Sequence, residues 1–91
     1  RHRRSNLLRF MTTNKKTLRL LNDNENSFID VINILRKYLS YPTTQGQSIA
    51  DIVHRTGGCD IFTGDEIIVD HYFELFIKNG FNVEVNYYEE N

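Results

Sequence analysis

Two hydrophobic periods alternate along this chain, and the order in which they come limits the fold classes open to it. From Phe28 the apolar residues Phe28, Val31, Ile32, Leu35, Tyr38 and Leu39 recur at steps of three and four, the mark of an amphipathic helix. Asn26 or Ser27 can cap its exposed amides, and Pro42 stops it. Thr43 or Thr44 can open a second helix carrying Ile49, Ile52 and Val53, with Gly57 and Gly58 as terminator. Gly46 inside that helix blurs where its first turn begins. At the far end the period drops to two: Phe81, Val83, Val85 and Tyr87 alternate with Asn82, Glu84 and Asn86, as a half-buried strand requires.

Between these segments, Thr17 to Leu21 and Cys59 to Phe62 read as short strands. Thr63 and Glu66 have the spacing of a capping box for a third helix, with Ile67, Ile68, Tyr72, Leu75 and Phe76 on its buried side and Gly80 at its end. The expected order is βααβαβ. That order places the chain in the α+β class, as a three-stranded antiparallel sheet packed against three helices. Residues 17–91 form the expected core domain and residues 1–16 a flexible basic arm without a sustained period.

Charge divides along the same boundary. Six of the eleven basic residues lie in the first sixteen positions, where no acid occurs, and from Thr17 onward five basic residues face twelve acidic ones. An acidic body repels phosphate backbones and anionic membrane surfaces and attracts ammonium groups, so neither nucleic acid nor membrane is expected as its partner. Cys59 is the single cysteine, which excludes an internal disulfide and a zinc site built from several thiolates; no cofactor or metal is expected. The apolar runs are too short to span a bilayer. The basic, acid-free leader with its Ser and Thr suits the tail of an organelle transit segment, and equally a flexible delivery arm.

The loop Asn22-Asp23-Asn24 sits where the first strand meets the first helix. Its plain reading is a turn, since Asn and Asp form local hydrogen bonds and accept unusual dihedrals. A second reading comes from the helices around it. Ala50, Val53 and His54 share a face of the second helix at i, i+3 and i+4, as Phe28 and Val31 do on the first. If those faces meet beside the loop, they form a small apolar pit with an amide, a carboxylate and an imidazole on its rim. Such a rim suits a primary ammonium attached to an apolar side chain.

In the order LLNDN, a helix ending in LRKYLSY, IVH, and IFTGDE at the third helix, the chain resembles ClpS, the adaptor that hands N-degron substrates to Clp AAA+ proteases. The resemblance runs from Leu20 to about Tyr87 and implies the same βααβαβ fold. It implies contacts to a substrate α-amine from Asn22, Asp23 or Asn24, and His54, and a side-chain pocket of Leu21, Asn26, Phe28, Val31, Ala50 and Val53, closed by Phe81. It further implies that Asp65 faces the N-terminal domain of a ClpC- or ClpA-type unfoldase, with Asp70 nearby where the family has Lys. Three departures mark this chain: Asn24 replaces a second acid, Phe28 and Ala50 stand where the family has Met, and the stretch between His54 and Phe62 is short.

The resemblance implies a monomeric adaptor, not an enzyme, that selects proteins by a bulky hydrophobic first residue. Asn-rich composition and the basic leader point to the stroma of a plastid-type organelle, the apicoplast, with a bacterial cytoplasm as the alternative. Two rival classes stand beside it. Asp23 and His54 could form an acid–base pair, but the chain offers no matched nucleophile or phosphate loop. A small nucleic-acid-binding domain would rest on the basic arm alone.

Overall fold

The computed structural model describes residues 14–88. The expected arm, residues 1–16, therefore lies outside the described residues except for Asn14, Lys15 and Lys16, and so does most of what a nucleic-acid reading would rest on. Strand β1 (Lys15–Leu21) leads to helices α1 (Phe28–Leu39) and α2 (Thr43–Thr56), then β2 (Gly58–Asp65), α3 (Glu66–Lys78) and β3 (Val83–Tyr87). The order βααβαβ is the expected one. The strands form an antiparallel sheet in the order β2-β1-β3.

Strand β1 begins two residues before the expected Thr17, so Lys15 and Lys16 belong to the sheet and not to the arm. A cation is tolerated there because acids receive it. The Lys16 ammonium lies 3.0 Å from Asp70 Oδ1 and 3.3 Å from Glu66 Oε2, and 5.1 Å above the centre of the Tyr87 ring. Hydrogen bonding to Asp70, against a smaller opposing effect of burial, raises the Lys16 pKa above its ordinary value.

Alternation along β1 sends Leu18 and Leu20 into the core and Arg19 to the opposite face. Arg19 is flanked in register by Asp60 on β2 and Glu84 on β3, at 3.1 and 3.9 Å. Between Leu18 and Arg19 the pairing jumps from Phe62 to Asp60, leaving Ile61 as the extra residue of a bulge. Its carbonyl is taken by the Tyr41 hydroxyl, which ties the α1–α2 corner to the sheet. Burial raises the Tyr41 pKa, with smaller contributions from Cys59 and Tyr72.

Ser27, not Asn26, caps α1. Its hydroxyl accepts from the Asp30 N–H at 3.2 Å while Asp30 Oδ2 accepts from the Ser27 N–H at 2.9 Å, a reciprocal capping box. Ser40 ends the helix in the left-handed conformation, φ 58°. Neither Thr43 nor Thr44 caps α2; Pro42 holds that position without a side-chain hydrogen bond. Gly57 closes α2 at φ 97°, and Gly58 opens β2 instead of sharing in the terminator. Gly46 has a packing reason: a Cβ there would stand 3.3 Å from the Ile32 Cα, so its absence lets α1 and α2 approach closely.

Two expectations for α3 are corrected. Thr63 is a strand residue whose hydroxyl pairs with that of Thr17 at 2.9 Å, and α3 starts at Glu66, so no Thr63–Glu66 capping box forms. The helix buries Val69 and Phe76 and half-buries Tyr72 and Phe73, one stripe at i, i+3, i+4 and i+7, while Ile67 and Ile68 stay 71% and 45% exposed. That stripe joins Leu18, Leu20, Ile34 and Leu35 in a single core cluster.

Candidate functional site

The loop after β1 is pinned at both ends. The Leu21 N–H donates to the Asn82 carbonyl at 2.8 Å, and the Asn22 N–H donates to the Gly57 carbonyl at 3.0 Å. The second bond places the Asn22–Asn24 loop against the C-terminal end of α2. His54 lies in the last turn of that helix, exposed, and its ring meets Phe28 edge-on with centroids 5.8 Å apart. Phe28 is the first residue of α1 and is itself 42% exposed. On the same two helices Val31, Ala50 and Val53 are buried, with 7%, 2% and 4% of their surfaces accessible. Of the three α2 residues expected to share a face, Ala50 and Val53 are buried and His54 is exposed.

Asp23 organises the loop. Its Oδ1 accepts from the backbone N–H groups of Glu25 and Asn26, both at 2.8 Å, and its carboxylate also receives the Asn26 side-chain amide at 3.1 and 3.3 Å. Burial pushes the Asp23 pKa up. The hydrogen bonds from the Asn26 side chain and from the backbone of Asn26, Glu25 and Asn82 outweigh it and hold the carboxyl below its ordinary value. The plain turn reading of this loop is therefore correct as far as it goes. Asp23 Oδ2 takes the Asn26 side-chain amide at 3.1 Å.

The arrangement is electrostatically one-sided. An ionised carboxylate stands near the C-terminal end of a helix of 14 residues, where unpaired carbonyls carry the negative end of the helix dipole. Both favour a cation. Asn22 and Asn24 are exposed in the same loop.

Three residues assigned to the pocket from the sequence are placed elsewhere. Leu21 lies on the face of β1 opposite Leu20, the core residue, because successive strand side chains alternate. The Asn26 amide is spent on Asp23 and on the Gly80 carbonyl, at 2.9 Å. Phe81 is buried against Phe76, ring centroids 6.1 Å apart. Asn26 and Phe81 line a different cleft of about 280 Å³, shared with Asp30, Asn33, Ile34, Lys37 and Asn79 along α1. Phe28, Val31, Ala50 and Val53 do not line it.

Of the two acids expected at a partner surface, Asp65 is exposed at the junction of β2 and α3 and makes no side-chain cap. Asp70 is already engaged by Lys16, so its charge is largely answered within the fold.

Fold and loop together define a small α+β domain with an acidic, amide-rich loop at the end of its second helix. The chain belongs to the ClpS family: the model of the ATP-dependent Clp protease adaptor protein ClpS matches residues 12–80. No curated protein matches the chain. Among solved structures it is similar to that of Agrobacterium tumefaciens ClpS2 bound to L-phenylalaninamide, with a TM-score of 0.71 and 16% sequence identity. The likeness covers 82% of this chain and 98% of that one, and at this identity it speaks to the fold.

Proposed function

We propose that this chain is an N-degron adaptor. It holds a protein by its free N-terminal amine and bulky apolar first residue, and tethers it to a ClpC- or ClpA-type AAA+ unfoldase. The observation that carries the reading is the edge-on contact of Phe28 and His54 on the helices that bury Val31, Ala50 and Val53, next to a loop that holds an ionised Asp23. The ligand named with Agrobacterium ClpS2, a phenylalanine with a free α-amine and no carboxylate, has the chemistry of such a first residue.

In this reading the ammonium donates to Asp23 Oδ2, to the Asn22 side-chain oxygen and to a ring nitrogen of His54. The side chain then displaces Phe28 from the mouth and settles on the floor. Asp65 serves the unfoldase contact, and the chain acts as a monomer without cofactor or chemistry of its own. The stroma of a plastid-type organelle is part of the proposal, supported by the basic, acid-free composition of residues 1–16.

A peptide array varying only the first residue tests the reading. Phe, Tyr, Trp and Leu are expected to bind, since burying such a side chain gains about 1.5–3 kcal/mol; Gly and Asp offer no apolar side chain, and the branched Cβ of Val meets Phe28. Binding indifferent to the first residue removes it.

A further inference from the structure

The carboxamide of Asn26 has two protons, and both are committed. One is shared by the two oxygens of Asp23 at 3.1 and 3.3 Å; the other reaches the Gly80 carbonyl at 2.9 Å. The Gly80 end is fixed. Gly80 sits at φ 82°, and the next residue, Phe81, donates its N–H to the Phe76 carbonyl at 3.0 Å and packs its ring on the fully buried Phe76.

At the other end, the backbone N–H groups of Glu25 and Asn26 both converge on Asp23 Oδ1. Those two bonds hold Oδ1, and the Asn82 backbone also donates to the carboxylate. The Asn26 amide engages Oδ2 as well, and so sets the plane of the group and the direction in which Oδ2 faces.

We propose that Asn26 is a positioning residue for the amine site, joining Asp23 to the α3–β3 turn so that Oδ2 is aimed before a ligand arrives. This rests on the reading of Asp23 as an amine acceptor. It reassigns Asn26 from the apolar pocket, since an amide with both protons committed to oxygens contributes orientation and not an apolar wall. The energetic logic is preorganisation: a charge-assisted hydrogen bond is worth most when the acceptor does not have to be ordered on binding.

The test uses the full chain with a Phe-initiated peptide, free and N-acetylated, on the parent protein and on Asn26→Ala, Asn26→Asp and Asn26→Ser. Asn26→Asp keeps the shape and replaces the donors with acceptors of like charge; Asn26→Ser keeps one short donor. In Ala and Asp variants that remain folded, affinity for the free peptide falls at least tenfold while affinity for the acetylated peptide does not change, and Ser restores part of the difference. Ala and Asp variants that discriminate as strongly as the parent overturn the proposal. A parent that does not discriminate ends the amine reading itself, which separates the two failures.

Should those variants unfold, the parent decides by nuclear magnetic resonance. The Asn26 carboxamide protons are expected to exchange slowly and to shift with L-phenylalaninamide but not with its N-acetylated form. Exchange as fast as that of exposed Asn24 overturns the proposal.

Discussion

The ring of Phe28 meets the imidazole of His54 edge-on, at 5.8 Å between centroids and 75° between planes, so the start of one helix closes against the end of the next. This contact joins the apolar part of the site to its polar rim. In the proposed function a ligand side chain that reaches Val31, Ala50 and Val53 moves Phe28, which is 42% exposed.

Phe28→Ala should therefore relax selectivity. Removing a ring that covers the floor admits first residues branched at Cβ, so Val- and Ile-initiated peptides are expected to gain about tenfold in affinity, near 1.4 kcal/mol. Because the ring is 42% exposed, the fold should lose less than about the 3–5 kcal/mol of a core Phe→Ala change. Competition binding and thermal melting measure the two effects. Unchanged selectivity moves the gate elsewhere.

His54→Ala should weaken binding of a free N-terminus by about 1.5–3 kcal/mol, the range of one hydrogen bond to a charged group. The fold should hold, since His54 is exposed and the core beside it is built from Ala50 and Val53. Calorimetry on the mutant and its melting curve check both halves. A large loss of stability would place the ring in the core.

Asp23 makes the loop sensitive to acid. Its folded pKa lies below its ordinary value near 3.8, so its contribution to stability is complete above that value and is lost as pH falls through the lower, folded one. Asp23→Ala leaves the N–H groups of Glu25 and Asn26 without their acceptor, and should cost about 1–3 kcal/mol at pH 7. The gap between parent and mutant should narrow in acid. Urea unfolding at pH 7 and pH 3 measures it, and a gap that widens at pH 3 has the wrong sign.

Tyr41→Phe should destabilise the fold by about 1–2 kcal/mol with no effect on ligand selectivity. The hydroxyl satisfies the carbonyl of the bulge residue Ile61, which the β1–β2 ladder passes over. Chemical denaturation checks the stability, and an unaltered midpoint would mean that water replaces the hydroxyl.

The parts of the fold legible in the sequence are those where one period stands alone. Phe28 to Leu39 shows a single helical stripe and became α1, while the alternation from Phe81 to Tyr87 became β3 only from Val83 onward. Where apolar residues crowd, the phase is lost. Leu20 and Leu21 are adjacent, so the inward one cannot be chosen until pairing with β2 and β3 sets the register. The run from Glu66 to Lys78 is apolar on several sides, and only docking on the sheet selects Val69, Tyr72, Phe73 and Phe76 over Ile67 and Ile68.

Local signals failed where a longer-range one competed. Thr63 and Glu66 satisfy the capping-box spacing, but pairing of β2 with a strand that starts at Lys15 keeps Thr63 extended opposite Thr17. In the site, the shared face of Ala50, Val53 and His54 was readable from spacing. The role of Asn26 was not, because its partners Asp23 and Gly80 are brought together only by the packed turn before β3.

In the proposed function Asn22, Asp23 and His54 together read a free amine. A free N-terminus carries a positive charge and three donors, which acetylation reduces to one neutral N–H. Isothermal calorimetry on the parent protein, with a Phe-initiated peptide in free and acetylated forms, measures the difference directly. The account predicts about micromolar binding of the free peptide and a loss of at least about a hundredfold, near 3 kcal/mol, on acetylation. Equal affinities for the two peptides would contradict it.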